Sequence, residues 1–180
     1  MVTASRGGML TSPDGITWTM RNNAGFGTGP YRCVAYGNGL YVAGGQSIMA
    51  TSTDTITWTN LTIPFGGYYI EAIIYKNGLF VAGNSGGEIG TSIDGKTWTM
   101  RTSPFEGTSI TTLDYHNNLF IAAGFGGKLA TSPDGITWTL KSSPIDVSVR
   151  ALSNSVINGS IVYVAGGDGG KISTSPDPIL

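Results

Sequence analysis

His116 and Cys33 are the single histidine and the single cysteine of the 180-residue sequence. A Ser-His-Asp or Cys-His relay needs its histidine beside both a nucleophile and an orienting carboxylate. His116 falls where other parts of the chain carry Gly37 and Lys76, and so reads as a solvated turn residue. Cys33, between Arg32 and Val34 in an apolar alternation, reads as a small buried hydrophobe, and one cysteine can form no internal disulfide. With one of each, a Cys/His zinc centre cannot be assembled. Asp14, Asp54, Asp94 and Asp134 recur at forty-residue intervals rather than clustering as a calcium loop would. Two glycine-rich stretches ending in Lys128 and Lys171 resemble phosphate loops. However, Ala122 and Ala165 stand where the first glycine belongs, and Leu129 and Ile172 follow the lysines. Both stretches read as hairpin turns. No metal, no cofactor and no catalytic set is expected.

The elements that would position any site follow from the same spacing. Trp18, Trp58, Trp98 and Trp138 lie forty residues apart, and each closes one motif: Ser12, Asp14, Gly15 and Trp18; Ser52, Asp54, Thr55 and Trp58; Ser92, Asp94, Gly95 and Trp98; Ser132, Asp134, Gly135 and Trp138. A fifth copy opens at Ser175 and Asp177, with Pro178 in the glycine position. A period of this length marks a repeat architecture. Within one period, residues 70–75 read as a strand, 76–78 as a tight turn, 79–83 as a second strand and 84–87 as a second turn. Residues 88–91 and 97–100 supply two more strands. Each repeat is thus four short antiparallel strands, here a, b, c and d in chain order. No segment shows a 3.6-residue periodicity.

Four-stranded units cannot hide both faces alone, and stacking them radially does so while leaving short edges. The expectation is an all-β propeller in a single domain spanning residues 1–180. Residues 1–20 would form a partial blade, 31–60, 70–100 and 110–140 full blades, and 149–175 a second partial blade. Eighteen strands make four and a half blades. Five blades with the first and last incomplete is the favoured arrangement; four blades with a spare hairpin, or closure through a partner chain, are the alternatives. An unpaired strand edge would invite self-association.

Composition narrows the partners. The net charge is −1, charged residues make up 12% of the chain, and the ten lysines and arginines are scattered, so no basic patch suits nucleic acid. No apolar run approaches the ~20 residues of a membrane-spanning helix, and no leader is read at Met1. The 28 glycines fall at fixed places in each repeat and mark turns. Asn60 and Asn158 fit a glycosylation sequon that matters only in a eukaryotic secretory host.

The Ser-x-Asp-x-Gly-x-x-Trp motif, in phase over essentially the whole chain, resembles the Asp-box or BNR repeat of sialidases, sortilin-type receptors, photosystem II assembly factors and many phage proteins. The motif itself reads as structural. Ser and Asp oxygens would satisfy backbone N–H groups across the c–d turn, glycine would supply a positive φ, and tryptophan would wedge between blades. Thr55 disfavours a positive φ, so a distorted turn is expected at residues 54–56, and none after Asp177. The resemblance to sialidases implies an arginine triad, a Tyr/Glu nucleophile pair and an acid Asp. Arg6, Arg21, Arg32, Arg101 and Arg150 are dispersed, and Arg21 and Arg101 are accounted for by the repeat. The chain is therefore read as no enzyme.

Function is sought where repeats differ, in the d–a connections 21–30, 61–69, 101–109 and 141–148. In propellers these share a face with the b–c hairpins. That face would gather Phe26, Phe65, Tyr68, Tyr69, Phe105 and Phe125 with Arg101, Glu106, Asp146 and Asp168, besides Asn22 and Asn23. Aromatics beside carboxylates suit a glycan or protein surface. Phe65 and Phe105, beside Pro64 and Pro104, have a competing reading as core caps. The expected role is a non-catalytic binding or structural module. The resemblance to phage proteins implies a virion-associated or extracellular, host-recognising component; an assembly factor docking onto a protein complex is the alternative, and a sialidase-like hydrolase the third.

Overall fold

The computed structural model describes residues 2–5, 8–21, 30–143, 146–157 and 160–176. Eighteen strands in five antiparallel sheets make up the described chain, with single 3₁₀ turns at Phe125–Gly127 and Asp168–Gly170 and no α-helix among the described residues. The first sheet contains β1 (Val2–Ser5), β2 (Gly8–Thr11) and β3 (Thr19–Arg21). The second contains β4 (Tyr31–Gly37), β5 (Leu40–Gly45), β6 (Ile48–Ser52) and β7 (Thr59–Leu61). The third contains β8 (Ile70–Lys76), β9 (Leu79–Asn84), β10 (Ile89–Ser92) and β11 (Thr99–Arg101). The fourth contains β12 (Ile110–His116), β13 (Leu119–Gly124), β14 (Leu129–Ser132) and β15 (Thr139–Lys141). The fifth contains β16 (Val149–Ile157), β17 (Ser160–Gly167) and β18 (Ile172–Ser175). Strands neighbour one another in chain order within every sheet, as consecutive hairpins dictate.

Local chemistry explains the hairpins. Asn38-Gly39 and Asn77-Gly78 take a positive φ at both turn residues, the geometry whose twist matches paired strands, and Asn117-Asn118 does the same without glycine. The d strands begin two residues later than the hydrophobic pattern suggests. The amides of Thr17, Thr57, Thr97 and Thr137 are already spent on aspartates, so the ladder resumes at Thr19, Thr59, Thr99 and Thr139.

Contacts divide the chain into two compact units, Met1–Ala82 with Gly90–Met100, and Gly83–Ile89 with Arg101–Leu180. In the first unit, Trp58 packs with Met9, Tyr31, Ala43 and Ala50, joining the first sheet to the second. Trp98 packs with Val42, Met49, Phe65 and Phe80, joining the second to the third. The tryptophan wedge is real at both junctions. In the second unit, Ile121, Ala123 and Leu129 of the fourth sheet meet Val149 and Tyr163 of the fifth. Cys33 packs half-buried at the junction of the second and third sheets, donating to the Ile70 carbonyl at 3.4 Å, and burial pushes its thiol up.

Candidate binding face

Each blade has two ends, and they use their polar groups differently. At the c–d end, four turns repeat one set of bonds. Ser12, Ser52, Ser92 and Ser132 donate through Oγ to the following aspartate at 2.9, 3.0, 2.8 and 2.9 Å, and accept from the amide three residues on at 2.8, 2.8, 2.9 and 2.8 Å. Each aspartate Oδ1 then accepts two more amides at 2.7–2.8 Å. The Thr17 and Ile16 amides hold the Asp14 carboxyl down to about 2, and those of Thr57 and Ile56 do the same for Asp54. Asp94 and Asp134 are lowered by the same bonds. These carboxylates are stabilised as anions by the backbone amides that their Oδ1 atoms accept, and so staple the turn.

The turn at residues 54–56 corrects the expected distortion. Thr55 adopts φ 66°, and the Ser52 and Asp54 bonds match those of the glycine-bearing turns. Five side-chain and backbone bonds outweigh the local strain of a β-branched residue at positive φ. Trp18, Trp58 and Trp138 donate Nε1 to the carbonyl at the glycine position, at 3.2, 3.2 and 3.0 Å. Trp98 Nε1 is buried with no such partner, its ring held by the edges of Phe65 and Phe80. The fifth copy of the turn falls at Asp177, outside the described residues.

At the other end, the b–c hairpins meet the d–a connections. In the first unit, the Ser47 amide donates to the Tyr68 carbonyl at 3.1 Å, and Tyr69 Oη donates to Gln46 at 3.0 Å. The Arg32 guanidinium lies 4.0 Å from the Tyr69 ring centroid and grips Glu71 at 2.7 and 2.9 Å. Tyr68 is half-exposed beside them. In the second unit, the Phe125 amide donates to Ser109 and the Asp168 amide to Ser148, both at 3.0 Å. Arg150 lies 4.8 Å from the Phe125 ring centroid and holds Asp168 in a bidentate pair at 2.7 and 2.9 Å. Lys171 pairs with Asp146, and Lys128 donates to the Phe105 carbonyl at 2.8 Å, 4.0 Å from Glu106. Glu106 rides exposed on a turn in which it and Gly107 both take positive φ.

The expected face is therefore assembled in part. Phe125, Glu106, Asp146 and Asp168 gather in the second unit, and Tyr68 and Tyr69 in the first. Arg101 ends β11, half-buried. Phe65 and Phe105 are corrected: both are core residues, Phe65 packed against Trp98 and against Gly90, and Phe105 fully buried. A large aromatic ring gains more from the core than from water once the neighbouring strands leave space for it. Phe26, with Asn22 and Asn23, lies outside the described residues. His116 is also corrected, since it ends β12 half-buried, edge-on to Tyr163 at 5.4 Å. No group of three His, Cys, Asp or Glu side chains that could hold a metal ion occurs among the described residues. Among the described residues no helix is long and apolar enough to cross a membrane.

Arg32 and Arg150 were not among the expected face residues. Each is the extra residue of a β-bulge, flanked by the paired Tyr31 and Cys33 or Val149 and Ala151, and Thr111 occupies the same bulge in β12. A bulge re-aims one side chain out of the ladder. Alternation cannot reveal it; aligning the repeats places Arg32, Glu71, Thr111 and Arg150 at one position, the only signal of it in the sequence.

Among solved structures, the chain is similar to the WD40 β-propeller domain of Doa1, with a TM-score of 0.69 at 16% identity over 98% of this chain and 62% of that one. YCF48 bound to D1 peptide gives 0.70 at 19% identity over 98% and 58%. Virginiamycin B lyase from Staphylococcus aureus gives 0.73 at 10% identity over 97% and 68%. The chain spans less than two thirds of the Doa1 and YCF48 chains. Likeness at these identities shows the fold, a β-propeller of four-stranded antiparallel blades, and leaves function to the site. No family model and no curated protein matches the chain.

Proposed function

We propose that the protein is a non-catalytic binding module that presents the hairpin-and-loop end of its blades to a protein or glycan surface. The observation that carries this reading is the contrast in polar bookkeeping between the two ends. The Ser-Asp turns close on themselves, whereas the hairpin end leaves Phe125 half-exposed beside the Arg150 guanidinium, and Tyr68 half-exposed next in sequence to Tyr69, on whose ring Arg32 lies. Aromatic and arginine side chains at a rim of paired charge are the residues that dominate recognition surfaces. A hydrolytic role is disfavoured. The Lys171 hydrogen bond holds Asp146 low, and the Arg150 hydrogen bonds do the same for Asp168, so neither is poised as a general acid.

The Ser-Asp turns agree with the Asp-box resemblance, and with it the leading role is a virion or host-recognition component. A second reading, an assembly or scaffold factor, gains support from YCF48, a solved propeller holding a peptide. Glycan and peptide arrays probed with the full chain test the proposal. Binding to members of one array, weakened at least about tenfold in Phe125→Ala or Tyr68→Ala, is expected. Undiminished binding by both variants, or turnover of a fluorogenic sialoside, would remove it.

A further inference from the structure

Two clefts open at the Ser-Asp turn end of the first unit, one between the first and second sheets and one between the second and third. Their volumes are about 430 and 310 Å³. In both, the earlier blade supplies the same five repeat positions: Thr11, Ser12, Pro13, Thr19 and Arg21 in the first, Thr51, Ser52, Thr53, Thr59 and Leu61 in the second. The fifth position changes the chemistry. Leu61 packs against the apolar cluster that holds Trp98 and finishes its junction with carbon. Arg21 brings a guanidinium to the same place.

Pairing of β2 with β3 sets Arg21 opposite Met9 and Thr19 opposite Thr11, so the four side chains share the face on which Met9 meets Trp58 of the second sheet. Thr11 is buried, and its Oγ1 accepts from Arg21 Nε at 2.9 Å. That bond orients the guanidinium plane and leaves both Nη groups to a ligand. Arg32 and Arg150 each hold a carboxylate through two bonds. Arg21 is half-buried as well, yet among the described residues it makes no ion pair and no second hydrogen bond. An oriented guanidinium fork without a protein partner is matched in shape and charge by a carboxylate.

The second blade lines the opposite wall with Thr53, Asp54 and Thr55. The Thr57 and Ile56 amides keep the Asp54 carboxyl low, so it is a fixed negative charge in the cleft. Such a charge repels a polyanion but accepts hydrogen bonds from hydroxyl groups. Lys96 borders the second cleft from an exposed turn, where it is a solvated point charge without a planar fork. We propose that the first cleft is a binding site for a small hydroxylated carboxylate, with the carboxylate on the Arg21 fork and the hydroxyls among Thr19, Thr53, Thr55 and Asp54. A cleft of about 430 Å³ holds a molecule the size of one sugar acid. Neither Tyr68 nor Phe125 lines it, so the site stands or falls apart from the surface assigned to the hairpin end.

Titration of the isotope-labelled full chain with D-glucuronate, D-glucose and acetate, read from amide chemical shifts, provides the test. Glucuronate should move the amides of Thr11, Thr19, Thr53 and Thr55 saturably. Glucose lacks the carboxylate and acetate the hydroxyls, and each should bind at least about tenfold more weakly. Arg21→Leu installs the residue that the second repeat carries and should weaken glucuronate binding at least about tenfold. Circular dichroism checks folding; should Arg21→Leu fail to fold, Arg21→Lys, which keeps the charge and loses the fork, replaces it with the same expected loss. The absence of saturable shifts with glucuronate overturns the proposal. So does binding that Arg21→Leu leaves unchanged, or glucose binding as tightly as glucuronate.

Discussion

The c–d end of the blades and the hairpin end are built from the same repeat, yet they obey different rules. Four Ser-Asp turns reproduce the same bonds within a few tenths of an ångström, even where Thr55 replaces glycine. At the other end, Gln46 meets Tyr69 in one place, Lys128 meets the Phe105 carbonyl in another, and Lys171 meets Asp146 in a third. An end that must satisfy a fixed set of backbone amides tolerates little variation. An end whose hairpins are already closed by their own ladders can change its side chains without unfolding the sheet. The lesson is that near-identity along a repeat marks what folds it, and divergence marks what it can be used for.

The comparison breaks most visibly at the tryptophans. Trp98→Ala should cost about 3–5 kcal/mol in denaturant unfolding, the range for removing a large buried aromatic. Trp18→Ala, at the same repeat position but partly in water, should cost under about 1.5 kcal/mol. Equal costs would contradict the difference in burial between the two tryptophans.

Next in size is Ser132→Ala. Ser132 is fully buried and serves both Gly135 and Asp134, so its loss should cost about 1–3 kcal/mol. Phe125→Ala and Tyr68→Ala, at the other end, should stay within about 0.5 kcal/mol of the unaltered stability while weakening binding. Thr55→Gly should stabilise the protein by up to about 1 kcal/mol, because it relieves φ 66° at a net gain over glycine's entropy cost.

The smallest effect is a pH dependence confined to the turn end. Asp14 and Asp54 sit at about 2 in the folded chain against 3.8 for the free group. As pH falls the unfolded chain takes up these protons first. Their contribution is therefore complete above about pH 5, declines below it and is gone by about pH 1, below both values. Asp54→Asn should flatten that slope in urea unfolding at successive pH values; an unchanged slope would show that the turn bonds contribute nothing.

Much of this could be read from residues alone. The forty-residue spacing of tryptophan, the Asn-Gly turns and the Ser-x-Asp motif each follow from local chemistry that acts over a few residues, and only the d strands start elsewhere than that chemistry put them, two residues late. The binding end was less legible. Whether Phe65 and Phe105 face water or the core depends on how a neighbouring blade fills space, which no local pattern encodes. Arg32 and Arg150 escaped for another reason: a bulge breaks the alternation on which strand reading depends. The good behaviour of Thr55 came from cooperativity among bonds, which outweighs the preference of a single residue.

The central claim is that the Ser-Asp turns, exposed as they are, hold the fold. Native-state hydrogen exchange at the amides of Thr57, Thr97 and Thr137 tests it most directly, because each donates to an aspartate at 2.7–2.8 Å from an exposed turn. Protection of at least about 100-fold over an unstructured peptide, similar at all three sites, is the expected result. Exchange at the rate of a free loop would show that these turns are ornaments on sheets held together elsewhere.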